Sequence, residues 1–251
     1  MQPDQISVIL LAAGVGRRLQ GMAGGPKVLL KFGGQTLLER HLAALHANGI
    51  TDISLTVGFE AGKIRAEIAR LGLTGQIKLV ENPDFRLGSL VSLHVQDKVM
   101  RSGRPVILMD GDVLYPPEMI ARLIESPQEN VLLLDRNLEP GDEPVKICLK
   151  DGKIVDFRKK PVHEHEWHGE SVGFFRFSPA MAGILADVCA DYVNTGRTGD
   201  EYEEAIRDRI LLEPERFDFT DISDIPWTEI DFSEDVARAQ NIILPKLEAV
   251  A

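Results

Sequence analysis

The 251-residue chain has little cysteine, no excess of positive charge and no long apolar run. Its two cysteines, Cys148 and Cys189, stand far apart and form no CxxC pair. That argues against a disulfide framework or a zinc site, and two buried thiols are expected instead. Lys and Arg number 28 against 39 Asp and Glu, for a formal net charge of -11. Broad nucleic-acid binding leaves a basic footprint. None is present, so no DNA or RNA partner is expected. The apolar run at 6–13 is too short to cross a bilayer and lacks the basic head of a signal peptide. No membrane insertion and a cytoplasmic setting are expected. Internal repeats and low-complexity tracts are also missing, as is any Ser–His or Cys–His nucleophile arrangement.

What remains is ordinary for a globular enzyme: 44% apolar and 27% charged residues. The first half alternates strand and helix signals. The short apolar stretch 6–11 suits a strand buried on both faces. A helical repeat follows at Thr36–Ala47, with Leu37, Leu38, His41, Leu42 and Leu45 on one side. Strands at 53–57, 77–80 and 105–109 alternate with helices at 61–71 and 89–100. Such alternation predicts an α/β fold: a three-layer, mostly parallel Rossmann-like sheet. The second half changes character. Short strands are expected at 131–135, 145–149, 153–157, 171–177, 217–219 and 227–231, with an Asp151-Gly152 hairpin turn. Helices are expected at 179–192, 200–212 and 234–247, the last capped by Ser233. We read one domain over 1–251: a core over about 1–135, a small inserted acceptor-binding lobe over about 136–232 and a terminal helix at 233–251. Oligomeric state is not legible.

The strongest chemical signal is Leu11-Ala12-Ala13-Gly14-Val15-Gly16-Arg17-Arg18-Leu19, followed by Pro26-Lys27-Val28-Leu29. A buried strand ends here in small residues and two glycines. Small side chains let phosphates approach the backbone, and successive N–H groups form an anion-binding nest. Arg17, Arg18 and Lys27 add positive charge. No G-K-[ST] closes the loop, so it is not a Walker A loop; Leu19 replaces the third glycine of G-x-G-x-x-G. The second signal is Asp110-Gly111-Asp112 at a strand end, where carboxylates can hold Mg²⁺ beside phosphates. The third is Thr228-Glu229-Ile230-Asp231 before a helix start.

Together these strings resemble the sugar-phosphate nucleotidyltransferase superfamily, whose signature reads L-A-A-G-x-G-x-R-L, a spacer, then P-K-x-L. Arg18 matches the arginine of that pattern. The resemblance implies that Leu11, Ala12, Ala13, Gly14 and Gly16 line the nucleotide, that Arg18 grips its phosphates and that Lys27 bridges the reacting groups. It implies that Asp112 and Asp231 hold Mg²⁺, and that Gly88 and Ser89 contact base and ribose. Lys160 matches the lysine of the family's E-K-P segment, which contacts the acceptor phosphate. Lys159 stands where sugar-using members keep a glutamate, which weakens a hexose 1-phosphate acceptor. Gly173 matches a strand of the acceptor lobe.

The acidic helix start with Glu201 and Glu203, together with Trp167, could wall a cationic head group. His163, His165 and His168 read as a polar exposed loop. The compact cytidylyltransferases are the most similar branch, which implies an NTP, CTP by preference, and a phosphorylated small polar alcohol or amine, with pyrophosphate released. A sugar-1-phosphate uridylyl-, thymidylyl- or guanylyltransferase is the alternative. A non-catalytic, nucleotide-binding regulatory homologue is the alternative of another class.

Overall fold

A computed structural model describes residues 2–19, 24–137 and 144–250. Its strands are β1 Ser7–Ala12, β2 Lys31–Phe32, β3 Gln35–Thr36, β4 Asp52–Val57, β5 Ile77–Glu81, β6 Val106–Asp110, β7 Val113–Leu114, β8 Val131–Asp135, β9 Lys146–Lys150, β10 Lys153–Arg158, β11 Trp167–Phe177, β12 Asp218–Asp221 and β13 Thr228–Glu229. Its α-helices are α1 Leu37–Ala47, α2 Ala61–Arg70, α3 Ser89–His94, α4 Asp97–Met100, α5 Glu118–Glu125, α6 Pro179–Asn194, α7 Tyr202–Leu212, α8 Ser233–Arg238 and α9 Leu244–Val250.

Nine strands form one sheet. Its main path runs β10-β9-β11-β6-β1-β4-β5, and β8 and β12 branch from β11. The neighbours of β1 and β4 are parallel. The second half turns the sheet mixed, because β11 runs antiparallel to β6, β8 and β9. Side chains alternate across the sheet, as the two-residue strand period requires. Val8, Leu10, Ile107 and Met109 enter one core, while Ile9, Val106 and Leu108 enter another on the opposite face. Helices cover both faces, giving three layers.

The chain runs outward from β1 to β4 and β5, then returns to place β6 on the other flank of β1. Strand order therefore reverses between β1 and β6. Ligands of open α/β sheets bind at such a reversal, beyond the carboxyl ends of the strands. The glycine loop after β1 and Asp110-Gly111-Asp112 after β6 meet there.

Several local expectations shift for physical reasons. The helix expected at 89–100 breaks into α3 and α4. At the break the buried Gln96 turns into the sheet, accepting from Ser54 Oγ and donating to Thr56 Oγ1, both at 2.8 Å. The terminal helix is also broken: a π-helical turn spans Ala239–Ile243, just before Pro245, which lacks the N–H that would bond back to Asn241. Ser233 does not cap it. Phe232 holds the cap position, and the Asp235 carboxylate accepts from the N–H groups of Asp231 and Phe232 at 2.9 and 2.7 Å. β11 begins four residues earlier than expected and carries Trp167 and His168 into the sheet. The Asp151-Gly152 turn is present, with both residues at positive φ, as a tight two-residue hairpin demands.

Candidate active site

Three local devices bring the site together. First, β6 ends pressed against β1: Gly111 N donates to Leu11 O at 3.0 Å. A Cβ on Gly111 would lie 2.6 Å from that carbonyl oxygen, so the approach requires glycine. Second, the buried His41 on α1 places Nε2 3.1 Å from Gly111 O and Nδ1 3.1 Å from the Tyr115 hydroxyl. Burial lowers the imidazole pKa to about 4, so His41 stays neutral and fixes the Asp110-Gly111-Asp112 turn. Third, β13 pairs with β7, with Glu229 opposite Val113. Ile230 N also donates to Asp112 O at 2.9 Å. This short ladder carries Asp231 to Asp112 across more than a hundred residues of chain. A cluster of Leu19, Phe32, Leu114, Ile230, Ile243 and Leu247 packs the terminal helices beneath it.

Lys27 lies between the two aspartates. Its Nζ is 2.9 Å from Asp112 Oδ2 and 2.5 Å from Asp231 Oδ1. Burial alone would lower its pKa, but the two carboxylates outweigh burial and raise it, so Lys27 stays charged. Asp231 is held below its usual value because Lys27 and Arg18 outweigh its desolvation. Arg18 Nη1 reaches Asp231 Oδ2 at 3.1 Å, and its guanidinium covers the Phe232 ring at 4.8 Å. Gly16 has φ +61, and a Cβ there would meet Lys27 Cγ at 2.9 Å, so the glycine clears the path of the lysine stem.

Asp112, Glu229 and Asp231 each offer one oxygen, and these oxygens lie within 4.8 Å of one another. Hard oxygen donors at this spacing fit a divalent cation such as Mg²⁺. The carboxylates of Asp112, Asp231 and Asp110 around it push Glu229 above its usual pKa. Glu229 is not among the ligands that the sequence motifs imply. Its spacing was the available signal, since residues i and i+2 of an extended segment point the same way.

Two cavities meet at this cluster. A nucleotide-sized cleft of about 690 Å³ is lined by Leu11, Ala13, Gly14, Gly16, Arg18, Gly88, Ser89, Asp112 and Glu201, among others. Ala12, expected in the same set, packs against the core instead. Glu201 therefore lines this larger cleft, and its Oε2 accepts from Ser89 N at 3.0 Å. A smaller cavity of about 240 Å³ lies on the other side, and Asp110 and Asp231 help to line it. Gly173 and Glu203 also line it. Gly173 has φ +75, and a Cβ there would meet Asp110 Oδ2 at 2.2 Å. Asp110 accepts from the buried Tyr202 hydroxyl at 2.6 Å. Desolvation, with Asp112 and Glu203 nearby, raises its pKa well above the carboxylate range.

Besides Glu201, two further expected acceptor residues, Lys160 and Trp167, are not on this wall. Lys159, not Lys160, lines the cavity. The loop that carries both is anchored by the buried Asp156, which accepts from Val162 N, His163 N and Arg207 Nε at 2.8, 3.1 and 2.6 Å. Trp167 packs on Phe219 and under Arg136 instead. The indole of the cavity is Trp227, whose Nε1 donates to Asp135 Oδ2 at 2.8 Å. His165 and His168 pair with each other at 3.0 Å. Among the described residues, the only group of three metal-ligating side chains is that of Asp112, Glu229 and Asp231.

Residues 8–151 match the model of the MobA-like NTP transferase domain. The chain belongs to that family. It is similar over 96% of its length, at 26% identity, to a bifunctional IPC transferase and DIPP synthase of Rubrobacter xylanophilus, of which it covers 52%. It is also 26% identical, over 98% of its length, to a CMP-5'-(3-aminopropyl)phosphonate synthase of Streptomyces rubellomurinus, of which it covers 40%. The chain thus spans about half the length of the curated relatives it matches. In three dimensions it resembles the inositol-1-phosphate CTP transferase from T. maritima, with a TM-score of 0.77, 22% identity and coverage of 99% and 98% of the two chains. The nucleotidyltransferase fold implied by the motifs is therefore present in full. Among the described residues, no helix is long and apolar enough to cross a membrane.

Proposed function

We propose that this family member is a magnesium-dependent cytidylyltransferase that couples CTP to a phosphorylated small polar alcohol or amine and releases pyrophosphate. One observation carries the reading: a charged lysine beside a glycine loop lies between two carboxylates at the junction of a nucleotide-sized cleft and a smaller acceptor cavity. A pure binder needs no such junction. A relative named for a CMP product and a structural neighbour named for CTP support the choice of base.

In the reaction, an acceptor phosphate oxygen attacks the α-phosphorus. The new O–P bond forms as the bond to pyrophosphate breaks in line. No protein nucleophile takes part, so rate comes from positioning and charge neutralisation. Lys27 stabilises charge on the α-phosphate. Arg18 and the N–H groups of the glycine loop hold the leaving phosphates. Lys159 steers the acceptor phosphate from the other side. Asp112, Glu229 and Asp231 would hold Mg²⁺, which when bound neutralises phosphate charge.

The test is a pyrophosphate-release screen of CTP, UTP, dTTP and GTP against phosphorylated alcohols, amines and sugars, with and without chelator. CTP with a small alcohol or amine phosphate should dominate, and chelation should abolish turnover. A product dominated by a UDP-, dTDP- or GDP-hexose would overturn the CTP assignment. No release with any pair would overturn catalysis.

A further inference from the structure

Glu201 lines the larger cleft, and the chemistry proposed above gives it no task. The segment that carries it is held in place. Gly88 N donates to Thr198 O at 2.9 Å, and Leu90 N donates to Asp200 O at 3.3 Å, so residues 198–201 run along the start of α3. Glu201 Oε2 accepts from Ser89 N at 3.0 Å, while Ser89 Oγ accepts from Tyr202 N at 2.9 Å. Among the described residues no donor engages the second oxygen, Oε1. One oxygen of the carboxylate is thus fixed by the backbone, and the other is left to the cleft.

The proposed reaction decides which part of a nucleotide lies here. The α-phosphate must meet Lys27 at the junction with the smaller cavity, and the glycine loop takes the phosphates. The rest of the cleft wall includes Phe85, Arg86, Leu87, Ser92 and Glu201, which follow β5 or begin α7. β5 stands two strands from β1, about 10 Å away at ordinary strand spacing, which suits the span from α-phosphate to base. Leu87, 48% exposed, and the Phe85 ring offer apolar surface to the face of a base. Arg86 brings donors only, and Ser92 Oγ already accepts from Asn82 Nδ2 at 2.9 Å. Glu201 is the acceptor-only group at this end.

The pyrimidines differ at one exocyclic position. Cytosine carries an amino group there, which donates, whereas uracil and thymine carry O4, which accepts. A carboxylate accepts only. It pairs with the cytosine amino group and repels O4. Resting on the cytidylyltransferase reading above, we infer that Glu201 Oε1 reads the amino group of cytosine, so that the helix bordering the acceptor cavity also selects the base. Glu201 is then a specificity residue that rejects UTP and dTTP.

The experiment measures Kd by calorimetry, with Mg²⁺ and the full chain, for CTP, UTP, GTP, dCTP and the triphosphate of pyrimidin-2-one riboside, which is cytidine without its amino group. No acceptor is needed. In the wild type, loss of the amino group should weaken binding roughly tenfold to a hundredfold, the worth of one hydrogen bond to a charged group. UTP should bind more weakly still, and dCTP should bind like CTP. In Glu201→Gln the Ser89 N–H holds the amide oxygen, and the amide NH₂ turns to the cleft. The gap between CTP and the pyrimidinone should close. UTP should bind more tightly than it does to the wild type, a gain that a merely structural change does not produce. Glu201→Ala serves as the second variant should Glu201→Gln melt early, and there CTP and the pyrimidinone should bind alike. A wild type that favours CTP over UTP yet holds the pyrimidinone as tightly as CTP overturns the role of Glu201 and leaves the CTP reading standing. A gap unmoved in both variants does the same. A loss confined to dCTP, and erased in Glu201→Gln, shows a ribose contact and also overturns it. A wild type that binds UTP or GTP more tightly than CTP, or binds no triphosphate, overturns both readings.

Discussion

The cleft proposed for the nucleotide is walled by the glycine loop, Gly88 and Gly199 together with charged side chains such as Arg18 and Asp112, whereas the cavity proposed for the acceptor is walled mainly by side chains such as Asp135, Glu170, Glu203, Trp227 and Lys159. In the proposed reading, the glycine loop of the first wall would meet phosphates through its backbone N–H groups. The second depends on individual side chains carried by separate strands and loops. A ligand shared across a family can be met by the first kind of wall. A ligand that distinguishes one member from another needs the second. Lys27, Asp112 and Asp231 stand where the two meet.

Lys27→Ala tests that junction and should have the largest effect. Losing one charged contact to the transition state costs about 3–4 kcal/mol, a rate loss of roughly a hundredfold to a thousandfold. The fold should survive, because the side chain touches the two aspartates and the Gly16 backbone rather than the core. Turnover and thermal melting of the purified variant check both halves of this statement. Wild-type turnover would remove Lys27 from the mechanism and separate the two cavities chemically.

The next effect contrasts the two regions through pH. His41 is neutral in the fold, with its pKa lowered by burial to about 4. The unfolded chain protonates this histidine near 6.5, so its contribution to stability falls as pH drops from about 6.5 to 4. The loss is on the order of 3 kcal/mol. Glu170 behaves oppositely. Its pKa is raised to about 7, so its contribution falls as pH rises from about 4.5 to 7, by a similar amount. The two slopes oppose each other between about pH 4.5 and 6.5. Melting measured across that window should show a steeper acid loss in Glu170→Gln than in the wild type. In His41→Gln the acid loss should shrink or reverse. Parallel curves for all three proteins would show that these groups do not set the pH response.

The same contrast explains what the sequence could and could not reveal. The glycine loop, Lys27 and the Asp110-Gly111-Asp112 turn are local strings, and their chemistry is readable because neighbours in sequence are neighbours in space. Strand–helix alternation in the first half likewise placed β1, β4, β5 and β6. The acceptor wall offered no such string. Asp135 and Glu170 meet only because β8 and β11 pair, and nothing in either segment announces that register. Trp167 and Trp227 are equally plausible aromatics in sequence. The structure separates them, since Trp167 stacks on Phe219 and Trp227 reaches Asp135. Lys160 and Lys159 differ by one position, and Asp156 settles how their loop is anchored. Glu229 is legible by spacing alone, two residues before Asp231 on an extended segment.

The smallest effect is expected at the place where the two regions are tied together. Ser89 begins α3 on the nucleotide side, and Tyr202 begins α7 on the acceptor side. The two helix starts cap one another: Tyr202 N donates to Ser89 Oγ at 2.9 Å, and Ser89 N donates to Glu201 Oε2 at 3.0 Å. Gly88 N also donates to Thr198 O at 2.9 Å, and a Cβ on Gly88 would come within 2.0 Å of Asp200 O, so the two segments lie in direct contact. Ser89→Ala removes the side-chain acceptor and leaves the first N–H of α7 without it. Loss of such a cap costs about 1 kcal/mol, or about 2–4 °C in Tm for a chain of this size. Because α7 carries the Tyr202 that holds Asp110 and the Glu203 that borders the acceptor cavity, KM for the acceptor should rise along with KM for the nucleotide. Glu201→Gln keeps an acceptor oxygen but weakens the bond, and should give a smaller loss of Tm. Together the two changes should be non-additive by about 0.5 kcal/mol or more, as expected for groups within one network. If Ser89→Ala raises only the nucleotide KM and leaves Tm and the acceptor KM alone, the clamp does not couple the regions, and the two cavities meet through Lys27 and the aspartates alone.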